Sequence, residues 1–348
     1  MTKVRVAING FGRIGRAFYK LALARPEIEI VAVNDLGDLD NMAYLLKYDT
    51  AYGRADFDVT IVRGNEHEEA GFIVNGQKVV LVQEKDATKL PWAKHNIDIV
   101  VESTGFFTSY EKSKVHLDAG AKRVVITAPV KGAGAEGVVG ATVLMGINDD
   151  KLATCQISSN ASCTTNAVSP VITILHEKIG IEKALLNTTH AYTGTQKIVD
   201  GPGGKDLRGG RAAAQNMVPS STGAAIAVTE AVPDLVGKFD GIAVRVPVIA
   251  GSIADITFIS KRNTSVEEVN QILRDAAKDP RWDGIFTVTD EPIVSSDIIG
   301  QLYGAIVDLD MTRVVDGNLV KVMSWYDNEM GYTNTLVKHV VKVAEQIK

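Results

Sequence analysis

Apolar residues along the chain follow two rhythms, and the change between them near residue 150 divides the sequence. In the first part, residues 4–8, 28–33, 97–102, 123–126 and 142–145 are short apolar runs that read as strands, with 97–102 continuous enough to be buried on both faces. A helical stretch through Ala24, stopped before Pro26, follows the first run, and another through Ala119 precedes the fourth. Residues 49–82 alternate polar and apolar positions, with turn signals at Gly64-Asn65 and Asn75-Gly76, which predicts antiparallel strands in or beside the parallel sheet. Strand and helix in alternation predict an α/β domain with a doubly wound parallel sheet.

Past residue 150 the pattern changes. Residues 152–157 read as a short strand, and Val168, Val171, Ile172, Leu175 and Ile179 then recur at helical spacing. A strand over 184–189 ends at His190 and opens into a long, glycine-rich stretch from 191 to 215. Strands over 242–248 and 253–259 are separated by a short turn. Ser265-Val266-Glu267-Glu268 is a capping box opening a helix whose Val266, Val269, Ile272, Leu273 and Ala276 share a face. Strands over 285–288, 305–309, 311–315 and 319–326 follow, the last after an Asp316-Gly317 turn. Runs of strands with segregated helices predict an α+β domain built on a mainly antiparallel sheet. A final helix over about 334–348 places Leu336, Val340, Val343 and Ile347 on one face and is expected to dock back on the first domain. The expected division is therefore 1–161 with the C-terminal helix 330–348, and 162–329.

A length of 348 residues agrees with two cores. Acidic residues (42) exceed basic ones (37) and no long run of like charge occurs, which argues against a nucleic-acid partner. With only two cysteines, Cys155 and Cys163, there is no disulfide framework, and the N-terminus carries no apolar signal core. No apolar run approaches a membrane span, so a cytoplasmic protein is expected. No His, Cys and acid cluster at ligand spacing points to a metal.

The chemistry-bearing residues then stand out. Gly10-Phe11-Gly12-Arg13-Ile14-Gly15 lies between the first strand and its helix, the context a dinucleotide fingerprint requires. Gly10 makes the tight turn, Gly12 admits a pyrophosphate and Gly15 lets helix lie close on strand. Asp35, twenty residues after Gly15 at the end of the second strand, suits a ribose diol and repels a 2′-phosphate, so NAD is favoured over NADP and the first domain reads as Rossmann-type. Strand ends at Thr104 to Phe107 and at Thr127 are further candidates to face the cofactor. Cys163 opens a helix among Ser162, Thr164, Thr165 and Asn166, where unpaired N–H groups favour a thiolate, although a cysteine can equally be a small buried hydrophobe. His190 at its strand end is a candidate base. Thr193, Thr195, Arg208, Arg211, Thr222, Gly223 and Arg245 are suited to phosphate oxygens; Arg245, inside an apolar strand, must find an anion or lie exposed.

These motifs make the chain resemble the phosphorylating glyceraldehyde-3-phosphate dehydrogenase family over its entire length. The resemblance rests on residues 8–16, Ser159 to Asn166, Thr193 to Lys197, Arg245-Val246-Pro247 and Trp325 to Glu329. It implies that Cys163 is the nucleophile and His190 its base, and that NAD oxidises glyceraldehyde 3-phosphate to a thioester, which inorganic phosphate cleaves to 1,3-bisphosphoglycerate. It implies one phosphate subsite at Thr193, Thr195 and Arg245, and another at Ser162, Thr164, Thr222, Gly223 and a loop arginine mapped to Arg208, with Arg211 three residues away. It also implies cofactor contacts at Arg13, Ile14, Asp35, Thr104 and Phe106, with Thr127 and Asn328 near the nicotinamide, and a homotetramer.

Some positions depart from the family pattern. Ala167 replaces a frequent second cysteine, Met330 the usual tryptophan and Ile226 a common lysine, and Ile249-Ala250-Gly251 differs from the usual turn. None of these removes a group the chemistry needs. Erythrose-4-phosphate dehydrogenase shares the cysteine motif, but Thr193-Gly194-Thr195 and Asp200-Gly201-Pro202 look like the triose enzyme. A phosphorylating semialdehyde dehydrogenase would prefer NADP, and a cysteine hydrolase would have no use for the glycine motif or Asp35.

Overall fold

The computed structural model describes residues 3–130, 134–204 and 206–347, so Lys205 of the glycine-rich loop lies outside the described residues. The chain forms two compact units, residues 1–143, 149–161 and 336–348, and residues 144–148 and 162–335.

The first unit runs β1 (Val4–Asn9), α1 (Arg13–Ala22), β2 (Ile28–Asn34), α2 (Leu39–Lys47), β3 (Tyr48–Asp49), β4 (Gly53–Arg54), β5 (Val59–Val62), β6 (Gly71–Val74), β7 (Gln77–Val82), β8 (Ile99–Glu102), α3 (Tyr110–Asp118), β9 (Arg123–Ile126), β10 (Gly140–Thr142) and β11 (Ile157–Ser159). Its main sheet has the order β10-β11-β9-β8-β1-β2-β7-β6-β5. All pairs are parallel except β5 with β6 and β6 with β7. The antiparallel strands expected within 49–82 thus extend the parallel sheet at one edge. Because β1 lies between β2 and β8, the order reverses there, and this switch point opens a crevice at the carboxyl ends of the strands. Two sequence readings shift: 142–145 forms a strand only up to Thr142, and 152–157 starts in the 3-10 turn Asp149–Ala153 and enters β11 only at Ile157. The first of these follows β10, the edge strand, where few neighbours are available to fix a strand.

The second unit runs α4 (Cys163–Ile179), β12 (Ile181–Ala191), β13 (Val218–Ser221), α5 (Ala224–Ala231), β14 (Phe239–Val246), β15 (Ser252–Ser260), α6 (Val266–Ala276), β16 (Phe286–Thr289), β17 (Ala305–Val315), β18 (Leu319–Tyr326) and the start of α7 (Met330–Ala344). The sheet order is β13-β14-β12-β15-β18-β17-β16, with only β12/β14 and β16/β17 parallel. The strands at 242–248 and 253–259 do not pair as a hairpin; they flank β12 on opposite sides. The strands read at 305–309 and 311–315 are one strand, β17, with an irregularity between Asp308 and Arg313. Val168, Val171, Ile172 and Leu175 of α4 are fully buried in this unit's core with Leu273 of α6 and Val228 of α5. Each such side chain contributes about 1.5–3 kcal/mol of transfer free energy. Ser265 caps α6 by accepting from the Glu268 amide, but the Glu268 carboxylate turns to Arg262 and Thr264, so only half of the capping box forms.

The later turns of α7 belong to the first unit, where Leu336, Val337, Val340 and Val343 join Phe18, Ile99 and Val101 in one apolar cluster. His339, on the same turns and fully buried, meets Asn160 Oδ1 at 3.1 Å and Ser158 Oγ at 2.8 Å. Burial pushes its pKa from 6.5 down to about 3. Above 6.5 the ring is neutral whether the chain is folded or not; below it, only the unfolded chain takes up the proton, so stability falls as pH falls. The expected slope is about 1.4 kcal/mol per pH unit from this group. Urea denaturation followed from about pH 7 to about pH 5 should show a shallower loss in His339→Gln than in wild type; equal slopes would contradict the burial of a neutral imidazole.

Candidate active site

In the first unit the glycine turn is shaped by contacts a side chain would destroy. Gly10 has φ +94° and its missing Cβ would fall 2.7 Å from the Thr104 amide nitrogen; a Cβ on Gly15 would lie 2.2 Å from the Gly10 carbonyl oxygen. At Gly12 the same position points into open space, leaving room for a phosphate. Helix α1 starts at Gly12 with no side-chain cap and no acid in its first turn, so its N–H groups are available to an anion. Gly10, Gly12, Asn34, Asp35, Thr104 and Phe106 line a cavity of about 500 Å³. The site residues therefore fit a dinucleotide.

Asp35 accepts from the Phe11 amide at 2.7 Å and the Gly37 amide at 2.9 Å, which fixes its carboxylate and ties the glycine turn to β2. Arg13 reaches Asp49 at 3.1 Å and lies over the Tyr52 ring. Ile14 packs at the margin of the first unit's core. The Thr104 hydroxyl is bonded to Glu102 and accepts from the Phe106 amide at 3.0 Å. Phe106 is 68% exposed, its ring edge-to-face with Phe107. Thr127, at the end of β9, donates its amide to the Glu102 carbonyl.

In the second unit Ser162 caps α4, its Oγ accepting from the Thr165 amide at 3.1 Å. Cys163 is thereby the first residue of the helix. Its sulfur lies 3.3 Å from His190 Nε2. The parallel register of β12 and β14 sets His190 opposite Arg245. Arg245 Nη1 is 2.7 Å from His190 Nδ1 and 3.2 Å from the Ala191 carbonyl, and Nδ1 is itself 2.6 Å from that carbonyl. A guanidinium can only donate, so when Arg245 bonds Nδ1 the ring proton sits on Nε2, facing the sulfur. In place of the anion or the full exposure expected for it, half-buried Arg245 meets a ring nitrogen lone pair and a backbone carbonyl.

Burial pushes His190 down to about 4, with the nearby Arg245 charge acting in the same sense and the Ala191 carbonyl opposing. Desolvation works against the expected thiolate: it pushes the Cys163 thiol up, outweighing Arg245 and the hydrogen bonds from Thr164 and the helix start. Thr193 and Thr195 hydroxyls lie 3.0 Å apart just beyond His190. Thr164 turns inward, its hydroxyl 2.9 Å from that of Tyr326. Thr222 accepts from the Ala224 amide at 3.2 Å, and Gly223 opens α5 with no side-chain cap. Arg208 is engaged by Asp206 in the exposed loop, and Arg211 by Asp200. Asn328 Oδ1 accepts from the Gly251 amide at 3.2 Å and Ser252 Oγ at 3.1 Å.

Sequence reading brings out the cysteine, the histidine and the arginine, and misses what holds them. Tyr326, fully buried, bonds Thr164 and, at 2.8 Å, Thr188, and its ring meets His190 edge-on at 5.9 Å between centroids. Its signals in the sequence are its place in the Trp325 to Glu329 motif and an aromatic at the end of an alternating strand, and neither says what it bonds. Among the described residues no group of three or more His, Cys, Asp or Glu could hold a metal, and no helix is long and apolar enough to cross a membrane.

Comparison with known proteins agrees with this geometry. Residues 4–110 match the family model described as glyceraldehyde 3-phosphate dehydrogenase, NAD binding domain, and residues 162–328 the corresponding C-terminal domain. The chain is 47% identical over 351 residues to glyceraldehyde-3-phosphate dehydrogenase of Mycobacterium avium, 45% over 345 to that of Geobacillus stearothermophilus and 44% over 349 to that of Clostridium acetobutylicum. In each case 99% of both chains is covered. With a glycine turn fitted to a dinucleotide, a cysteine paired to a histidine and relatives matched from end to end, the chain belongs to the glyceraldehyde-3-phosphate dehydrogenase family.

Proposed function

We propose that this protein oxidises D-glyceraldehyde 3-phosphate with NAD and inorganic phosphate to give 1,3-bisphosphoglycerate, through a thioester on Cys163. The observation that carries the reading is the 3.3 Å approach of Cys163 Sγ to His190 Nε2, with Arg245 on the far nitrogen of the same ring. Residues 1–161 with 330–348 hold the cofactor, through Gly10, Gly12, Arg13, Ile14, Gly15, Asp35, Thr104, Phe106 and Thr127, and residues 162–329 carry the chemistry, with Asn328 toward the nicotinamide.

In this reading the substrate phosphate binds the Thr193 and Thr195 hydroxyls and draws Arg245 from His190. Nδ1 then takes the ring proton and donates it to the Ala191 carbonyl, leaving Nε2 free to accept the thiol proton. The sulfur attacks the aldehyde carbon and the proton passes to the carbonyl oxygen, forming a hemithioacetal. His190 next removes that hydroxyl proton as hydride departs; the bound nicotinamide supplies the hydride acceptor. Inorganic phosphate, held by Ser162, Thr164, Thr222, Gly223 and Arg208, attacks the thioester carbon, and the Cys163 thiolate leaves.

A homotetrameric, cytoplasmic enzyme is part of the same reading. The support for the oligomer is an exposed apolar recess of about 760 Å³ lined by Leu185 of β12, Ile226 of α5, Val236 and Leu319 of β18, with Ile226 standing where a lysine is common in the family.

NADH formation from glyceraldehyde 3-phosphate should require inorganic phosphate for multiple turnovers, and Cys163→Ser should lower turnover by at least about a thousandfold while NAD still binds. Turnover retained in the serine variant would refute the nucleophile, and equal rates without phosphate would point to a hydrolase. Asp35→Asn removes the charge that meets a 2′-phosphate while keeping an acceptor for the glycine turn. The ratio of kcat/KM for NAD to that for NADP is expected to fall about tenfold, and an unchanged ratio would contradict the role given to Asp35.

A further inference from the structure

Beneath the wall of the first unit's cavity lies a polar cluster that none of the chemistry above uses. Glu102, at the end of β8, is 2% exposed, and His116, on α3, is fully buried. Both Glu102 oxygens are occupied. Oε2 accepts from Asn9 Nδ2 at 2.6 Å and meets His116 Nε2 at 3.0 Å; Oε1 accepts from the Thr104 amide at 2.8 Å and from the Thr104 hydroxyl. Four donors on one side chain identify it as a carboxylate, and no lysine or arginine is ion-paired with it among the described residues. The indole N–H of buried Trp92 points at His116 Nδ1 from 3.2 Å. An indole only donates, so Nδ1 carries a lone pair, the ring is neutral and Nε2–H is directed at Glu102.

The cluster reaches the cavity through two of its lining residues. Thr104 Oγ1, fixed by Glu102, accepts from the Phe106 amide and so sets the 103–107 turn, where Gly105 has φ +72°. Asn9, fixed by Glu102 on one side, accepts from Asn34 Nδ2 at 2.7 Å on the other, and Asn34 accepts from the Glu84 amide. His116 also carries the Phe107 ring edge-on at 5.4 Å. A carboxylate tying one helix to three strand ends is a costly thing to bury for stability alone, since an apolar replacement would avoid the desolvation.

We propose that Glu102 and His116 are positioning residues for cofactor binding: through Thr104 and Asn9 they hold the wall of the pocket that receives the adenosine half of NAD. The inference rests on the assignment of that cavity to the dinucleotide. Glu102→Gln brings an amide N–H against one of the four donors, so the 103–107 turn must move, whereas the Cys163 and His190 groups are untouched.

The test compares wild type, E102Q, H116F and the double variant, using ADP-ribose as the probe by calorimetry and steady-state kinetics for NAD and glyceraldehyde 3-phosphate. In E102Q, ADP-ribose affinity is expected to fall about tenfold and KM for NAD to rise in step. Turnover at saturating NAD and KM for the aldehyde should stay near wild type. H116F, which leaves the carboxylate three donors and an aromatic ring in the same space, should show a smaller effect of the same kind, and the double variant should lose less than the two combined. ADP-ribose binding as tight in E102Q and H116F as in wild type overturns the proposal. So does a loss shared equally by kcat and the aldehyde KM, which marks general damage. If E102Q does not fold, H116F alone decides by the same criteria. Wild type failing to bind ADP-ribose in competition with NAD would instead defeat the assignment of the cavity.

Discussion

The contact on which the rest of the second unit depends is that between one half-buried sulfur and one ring nitrogen of a buried histidine, 3.3 Å apart. Three elements meet to make it. Helix α4 contributes Cys163 because Ser162 ends the extended chain and caps the first turn; β12 contributes His190 at its carboxyl end; and β14, running parallel to β12, brings Arg245 level with the histidine. Parallel pairing is the exception in this sheet, and it is what places two residues of adjacent strands side by side at the same end. Tyr326, from β18, closes the arrangement by bonding both Thr164 on the helix and Thr188 on the strand.

In the first unit the equivalent constraint is backbone approach. The Gly10 carbonyl and the Gly15 Cα come so close that any side chain at 15 would displace the turn, and the Phe11 amide is held by Asp35 from the neighbouring strand. The acid proposed to select the cofactor is thus also a fixed part of the glycine turn. A carboxylate with two backbone hydrogen bonds has little freedom left, which favours a preformed site over one that closes on its ligand.

How much of this is legible in the sequence follows from the range of each interaction. The glycine turn, Asp35, the strand–Cys163–helix junction and the two sheets are local patterns, and periodicity with turn chemistry reveals them. The pairing of 239–246 and 252–260 with β12 rather than with each other depends on distant strands, and the short turn between them does not reveal it. The strand expected at 152–157 begins only at Ile157, because residues 152 and 153 close the 3-10 turn Asp149–Ala153. Glu102 and His116 are fourteen residues apart with ordinary spacing, and only the tertiary placement of Trp92 makes them a unit. The thiolate expectation weighs the helix start correctly but has no measure of desolvation, which is a property of everything packed around the sulfur.

That last point bears on mechanism. A permanently ionised sulfur would be exposed to any electrophile, whereas here burial favours the thiol and the Arg245 charge disfavours an imidazolium. The second effect has a lever, because the guanidinium on His190 Nδ1 is also a group well suited to a phosphate oxygen. An anion that takes Arg245 removes its N–H from Nδ1, offsets its charge and lets the Ala191 carbonyl accept the ring proton. The ring's second nitrogen then becomes a base toward the sulfur. In the reaction proposed above, the parallel register of β12 and β14 couples recognition of the substrate's charged end to activation of the nucleophile at its other end, with no moving part larger than one side chain.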